Sequence, residues 1–125
     1  MQENDISKII LDLCIKIHKT LGPGLLEKVY EECLCYEISK AGLDYERQKP
    51  IPIVYDGMEM DEAFRADIVV ADKVIIELKS VSKVDDVFFS QLLTYLKLSD
   101  KKLGLLINFN TKRMIDGFHR VVNGL

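Results

Sequence analysis

Three ionisable side chains on two neighbouring predicted strands have the types and spacing needed for hydrolytic chemistry: Asp67, Glu77 and Lys79. Glu77 and Lys79 are two residues apart, so the period of a strand places them on one face, and a short turn brings Asp67 alongside. Two adjacent carboxylates repel each other unless a cation lies between them, and their oxygens suit a divalent ion such as Mg²⁺. A lysine beside that ion can orient an attacking water and stabilise charge on a phosphate.

The same residues also fit a simpler interpretation, the polar face of a half-exposed strand, because short matches of common residues arise by chance. The position of Glu77 favours the functional interpretation. It interrupts an apolar run, since Val74-Ile75-Ile76 precedes it and Leu78 follows it. A charge within an otherwise buried strand needs a partner or a metal ion.

The pattern of apolar residues predicts the elements that would position these groups. Helical and alternating periods of apolar residues predict two helices, three strands, a third helix, a fourth strand and a last edge strand. The third helix would form a crossover between the third and fourth strands of a mixed sheet. The predicted ranges are about 5–21 and 25–42 for the first two helices, 48–55, 63–70 and 74–80 for three strands, a helix capped by Asp85, and strands 103–109 and 118–122.

Length and composition restrict the class of protein. The chain has 125 residues, of which 48% are hydrophobic and 30% charged, which fits one domain over residues 1–125 and excludes a disordered chain. No apolar run approaches the roughly 20 residues that span a bilayer, and Glu3 and Asp5 stand where a signal peptide is basic, so we expect a cytoplasmic protein without membrane contact. The net charge of −3 excludes a strongly basic coat protein but permits one basic face.

Several short motifs occur in an order that resembles a known family. Asp67, followed ten residues later by Glu77-Leu78-Lys79, resembles the signature of the PD-(D/E)xK nuclease superfamily, with Ala66 where a proline often stands. Gln91 and Tyr95 are similar to the QxxxY motif of its RecB-type and Cas4-type branch. The segments 18–22 and 24–30 resemble the small bacterial GxxExxY proteins.

This resemblance, which spans about residues 9–123, implies an α/β, restriction-endonuclease-like fold with an αβββαβ core, its central mixed sheet flanked by helices. It implies hydrolysis of DNA with Mg²⁺ or Mn²⁺ as the cofactor. It assigns Lys79 to the attacking water, and Gln91 and Tyr95 to holding DNA. The metal ligands that it implies are Asp67, Glu77, the Leu78 backbone carbonyl and Glu27.

Other candidates are less distinctive. Arg65, on the face of Asp67, is the best candidate for a phosphate contact, and Lys83, just after the catalytic strand, is the next. Glu27 is also explained as a solvated residue that suits the start of a helix. His18 is a weak site candidate, and a zinc site joining it to Cys14, Cys33 and Cys35 fits no standard spacing. The odd number of cysteines argues against a disulfide framework.

The alternative function is a non-catalytic nucleic-acid-binding or protein-interaction module that retains the nuclease fold. The presence of both acids and the lysine argues against it, and divalent-metal binding discriminates between the two. Because the sequence offers no appended DNA-reading domain, we expect sequence specificity to be low, or to be supplied by a homodimer or a partner.

Overall fold

The computed structural model describes residues 1–125, which form four helices and five strands. The elements are α1 (Glu3–Leu21), α2 (Glu27–Lys40), β1 (Tyr45–Tyr55), β2 (Met58–Val70), β3 (Val74–Lys79), α3 (Asp86–Ser99), β4 (Leu103–Asn108), α4 (Met114–Gly117) and β5 (Phe118–Val122).

The strands form one mixed five-stranded sheet in the order β1-β2-β3-β4-β5. β3 and β4 pair in parallel, and the other neighbours are antiparallel. Parallel neighbours need a crossover connection, which α3 supplies. The predicted αβββαβ order, the mixed sheet and the last edge strand are therefore confirmed.

Apolar clusters on both faces of the sheet explain how β3 presents its polar residues. Ile76 and Leu78 pack on the face covered by α1 and α2, whereas Ile75 packs with α3 on the other face. Because side chains alternate along a strand, Glu77 and Lys79 follow Ile75 onto the α3 face. All six residues of β4 are buried, so the sheet is covered on both sides beside these two groups.

The structure differs from the sequence-based expectations in three places. β2 begins at Met58 rather than at residue 63, because the β1–β2 hairpin continues beyond the part of β2 that pairs with β3. Its outer arm is largely exposed and lacks the alternation that marks a half-buried strand. α4 is a single turn, too short to show a helical period. β1 begins at Tyr45 rather than at residue 48.

None of the helices combines the length and apolar character required to cross a membrane.

Candidate active site

β2 and β3 separate at Asp67. Their ladder pairs Ile68 with Ile76, and no backbone pair follows toward the start of β2. The Leu78 N–H instead donates to Oδ2 of Asp67 at 2.8 Å. The carboxylate thus replaces a backbone acceptor, which holds Asp67 against β3 at the point where the strands part.

Glu77 has a buried carboxylate oxygen, Oε1, that has no hydrogen-bond partner. Burial and the nearby Asp67 carboxylate raise the pKa of Glu77 to about 9. Burial also raises the pKa of Asp67, against the opposing effect of the Leu78 N–H. Two crowded carboxylates with a free buried oxygen form an arrangement that a bound cation would stabilise.

Lys79 shares a small cavity, of about 70 Å³, with Glu77 and with Gln91 and Tyr95 of α3. Its Nζ lies 4.2 Å from the centroid of the Phe88 ring, a cation–π contact. It forms no ion pair with either carboxylate. The ammonium is therefore held by an aromatic face and remains available to another anion.

α3 closes the other side of this cavity. Gln91 and Tyr95 are four residues apart, which places them on one helical face. The Tyr95 ring stacks on Phe64 of β2, with ring centroids 3.7 Å apart, while Gln91 is exposed. Asp85 caps the helix by accepting from the Val87 N–H at 3.1 Å, which fixes where α3 begins.

Asn108, buried at the end of β4, stabilises the backbone that follows Lys79. Its Oδ1 accepts from the Val81 N–H at 3.1 Å, and its Nδ2 donates to the Val81 carbonyl at 2.9 Å. The Phe109 N–H donates to the Lys79 carbonyl at 3.1 Å. Hydrogen bonds from the end of β4 therefore hold the backbone at and just after Lys79, which fixes the end of the strand that carries Glu77 and Lys79.

A third carboxylate, Glu31 of α2, lies beside this pair and was missed by the sequence analysis. Glu31 is 8% exposed. Its Oε2 accepts from Arg47 Nε at 2.6 Å and its Oε1 from Gln48 Nε2 at 2.8 Å. The same Gln48 nitrogen lies 3.4 Å from Oδ1 of Asp67, which connects α2 to the β2–β3 opening.

Glu27 does not make these contacts. It is the first residue of α2, its side chain is exposed, and it forms no hydrogen bond or ion pair. Glu31, one turn later, faces β1 and accepts from Arg47 and Gln48, whereas the metal-ligand role implied for Glu27 stays a prediction. The start of α2 is nevertheless tied to the site strand, because Ser80 Oγ donates to the Leu25 carbonyl at 2.6 Å.

The remaining candidates lie around or away from the carboxylates. Arg65 is exposed and donates from Nη1 to the Gln48 backbone carbonyl at 3.0 Å. Lys83 is exposed and forms no ion pair. His18 Nε2 lies 2.9 Å from the Thr111 carbonyl, so the structure joins it to the loop after β4 rather than to Asp67 or Glu77.

The residues present fit a hard divalent cation. No group of three or more His, Cys, Asp or Glu side chains is arranged to hold a metal ion. Asp67 and Glu77 are the carboxylates crowded at the opening between β2 and β3, so they would be the side-chain ligands, with the Leu78 carbonyl as the backbone ligand that the resemblance implies. Mg²⁺ suits such a set, since it keeps several waters and is usually held by one or two carboxylates.

The comparison with known proteins agrees with this geometry. A family model of the PD-(D/E)XK nuclease superfamily matches residues 4–121. The chain belongs to this superfamily. Membership is consistent with the mixed sheet flanked by helices, a restriction-endonuclease-like α/β fold. No curated protein and no solved structure matches the chain significantly. As in other members of the superfamily, nuclease chemistry and a nucleic-acid partner are the expected properties.

Arg47 gives the site a testable contribution to stability. We expect Arg47→Met to lower the free energy of unfolding by about 1–3 kcal/mol, because it leaves the Glu31 carboxylate buried without its cation. Lys16→Met is the matched control. Its partner Glu37 keeps a second cation in Lys40 and Lys16 itself is exposed to solvent, so the loss should be clearly smaller than that of Arg47→Met. Urea unfolding measures both variants, and equal losses would contradict the argument.

Proposed function

We propose that this protein is a metal-dependent nuclease that hydrolyses DNA phosphodiester bonds with Mg²⁺ or Mn²⁺. One observation carries the proposal: the buried, unpartnered Oε1 of Glu77 lies beside Asp67 where two strands part, with Lys79 in the same cavity. If these residues formed only the polar face of a strand, the buried Glu77 oxygen would have a hydrogen-bond partner and Lys79 would pair with a carboxylate.

Each of these residues has one role in the proposed reaction. Asp67, Glu77 and the Leu78 carbonyl would hold the ion, whose chemistry when bound would be to polarise the phosphate and to lower the pKa of a coordinated water. Lys79 orients the attacking water and balances the negative charge that develops on the phosphate. The water oxygen bonds to phosphorus as the bond from phosphorus to the sugar oxygen breaks. The water releases a proton to solvent and the sugar oxygen takes one up, so no covalent intermediate with the protein forms.

The surrounding residues would hold the nucleic acid. Gln91 is exposed at the rim of the cavity, and Tyr95 forms part of its wall, which supports the RecB-type and Cas4-type assignment. The GxxExxY assignment rests on the motifs at 18–22 and 24–30. Arg65 and Lys83 are exposed cations that suit phosphate contacts. Glu27 is retained as an outer ligand acting through water, because its helix start is tied to Ser80, directly after Lys79.

We further propose that residues 1–125 act as one nuclease domain in the cytoplasm. Since the net charge of −3 provides little general attraction to DNA, a homodimer or a partner would help to position the substrate. This arrangement would give low sequence specificity to the isolated chain.

A cleavage assay on single-stranded, nicked, branched and duplex DNA, with RNA as a further substrate, tests the proposal. We expect cleavage of at least one DNA substrate with Mg²⁺ or Mn²⁺ and none with a chelator. Preferential cleavage of RNA would correct the substrate class while leaving the chemistry in place.

The non-catalytic module has one observation in its favour, which is that no third metal-binding side chain joins Asp67 and Glu77. Calorimetric titration with Mg²⁺ or Mn²⁺ in the presence of nucleic acid separates the two functions. If the wild-type protein binds nucleic acid but no divalent cation, the nuclease proposal fails and the module is the better description.

A further inference from the structure

We propose that Gln48 is a positioning residue that orients the Asp67 carboxylate toward the metal; this inference rests on the proposed function. Gln48 was not among the residues singled out from the sequence, and it belongs to the edge strand β1 rather than to the strands that carry the signature. It would act through Asp67 and would touch neither substrate nor metal.

The backbone of Gln48 provides the first argument. Its φ is 51°, in the left-handed region that residues other than glycine rarely adopt. Its neighbours Arg47 and Lys49 pair with Ile68 and Ala66, so Gln48 stands opposite Asp67. A strained backbone persists only where the surrounding structure requires it, and such positions concentrate at functional sites.

The side-chain contacts provide the second argument. The Gln48 amide nitrogen donates to Glu31 Oε1 at 2.8 Å and lies 3.4 Å from Asp67 Oδ1. It therefore stands between two carboxylates that would otherwise face each other, and the short bond to Glu31 anchors it there. The Leu78 N–H fixes the other Asp67 oxygen, Oδ2. With one oxygen held by β3 and the other near the amide, the Asp67 side chain has a defined direction.

The remaining contact of Gln48 agrees with this role. Its backbone carbonyl accepts from Arg65 Nη1 at 3.0 Å. Glu31 is itself neutralised by Arg47. Gln48 thus lies between an anchored carboxylate and the one proposed to bind metal. Partners that orient a metal ligand in this way typically contribute a factor of roughly 10 to 100 in metal affinity.

Gln48→Gly separates this role from a structural one. Glycine removes the amide but adopts the left-handed backbone without strain, so the relief of strain offsets the lost bond to Glu31 and the variant should unfold close to the wild-type urea concentration. We expect it nevertheless to bind Mn²⁺ roughly tenfold more weakly and to need correspondingly more Mn²⁺ for half-maximal cleavage, with its maximal rate largely recovered at saturating metal. Gln48→Leu, which keeps the side-chain bulk, should show the same loss of affinity.

Lys49→Leu is the control, because Lys49 is the next residue of β1 and pairs with Glu46 and Asp72 instead. Mn²⁺ titration calorimetry and urea unfolding of all three variants, beside the wild type, complete the test. The inference would be overturned if Gln48→Gly bound Mn²⁺ with wild-type affinity. It would also be overturned if the loss of Mn²⁺ affinity came with an equivalent loss of stability, or if Lys49→Leu lost as much Mn²⁺ affinity. Absence of Mn²⁺ binding by the wild type would instead overturn the proposed function on which the inference depends.

Discussion

Lys79→Ala will reduce cleavage by roughly a hundredfold or more while leaving divalent-cation affinity equal or higher. The ammonium lines the cavity beside Glu77 but is held by the Phe88 ring rather than by a carboxylate. It therefore repels a bound cation without serving as a ligand. Its loss also strengthens proton binding by Glu77, because Lys79 favours the ionised carboxylate. A divalent ion feels about twice the repulsion that a proton does, so the net effect on metal affinity is not adverse.

Asp67→Asn is the complementary change and should weaken metal binding and cleavage together. Asparagine can still accept the Leu78 N–H with its side-chain oxygen, so the strand opening is preserved while one negative charge is lost. We expect a loss of metal affinity of at least about tenfold, since even partners outside the coordination sphere contribute that much. Mg²⁺ or Mn²⁺ calorimetry beside a nuclease assay distinguishes the two variants.

Lys97→Ala, an exposed lysine on α3, is the control for charge alone. It should change neither property measurably. If Lys79→Ala and Asp67→Asn lose metal affinity to the same extent, or if Lys79→Ala cleaves normally, then Lys79 does not act on the attacking water and the assignment of roles is wrong.

The fold was predictable where burial of an element produces a recognisable pattern of apolar residues in the sequence. β4 is buried at every position and appears as a continuous apolar run, and Asp85 marks the start of α3. The outer arm of β2 was not predictable, because it is exposed on both faces and no burial pattern constrains its residues. α4 is a single turn, which is shorter than the window that any periodic signal needs.

The candidate site was predictable only in part, for a similar reason. Glu77 could be found because a charge in an apolar run requires a partner. Glu31 left a comparable signal, since it shares the buried stripe of α2 with Leu34, Cys35 and Ile38. Gln48 left none. Its contact with Asp67 depends on strand register and on a left-handed backbone, and neither is encoded by a local pattern.

The stability of the metal-free protein should fall as pH rises, and Glu77 should be the main cause. The pKa of Glu77 is about 9 in the folded protein against an ordinary value of 4.5. Within that window the folded state retains a proton that the unfolded state has released, so the free energy of unfolding decreases with increasing pH. The raised pKa of Asp67 acts in the same direction at the acidic end. Thermal unfolding in a chelator at about pH 5 and about pH 9 measures the effect.

Glu77→Gln should remove most of this pH dependence, because the amide has the shape of the protonated carboxyl and does not titrate. Glu59→Gln, the same change at an exposed position of β2, should leave it intact. Adding Mg²⁺ or Mn²⁺ should raise the unfolding temperature of the wild type most at about pH 9, where the cation binds an already ionised site. The same addition should raise the unfolding temperature of Glu77→Gln less. A pH dependence that persists in full in Glu77→Gln would place the buried charge elsewhere. Without an ionisable Glu77 at the opening between β2 and β3, two carboxylates would not be available to hold a metal ion there.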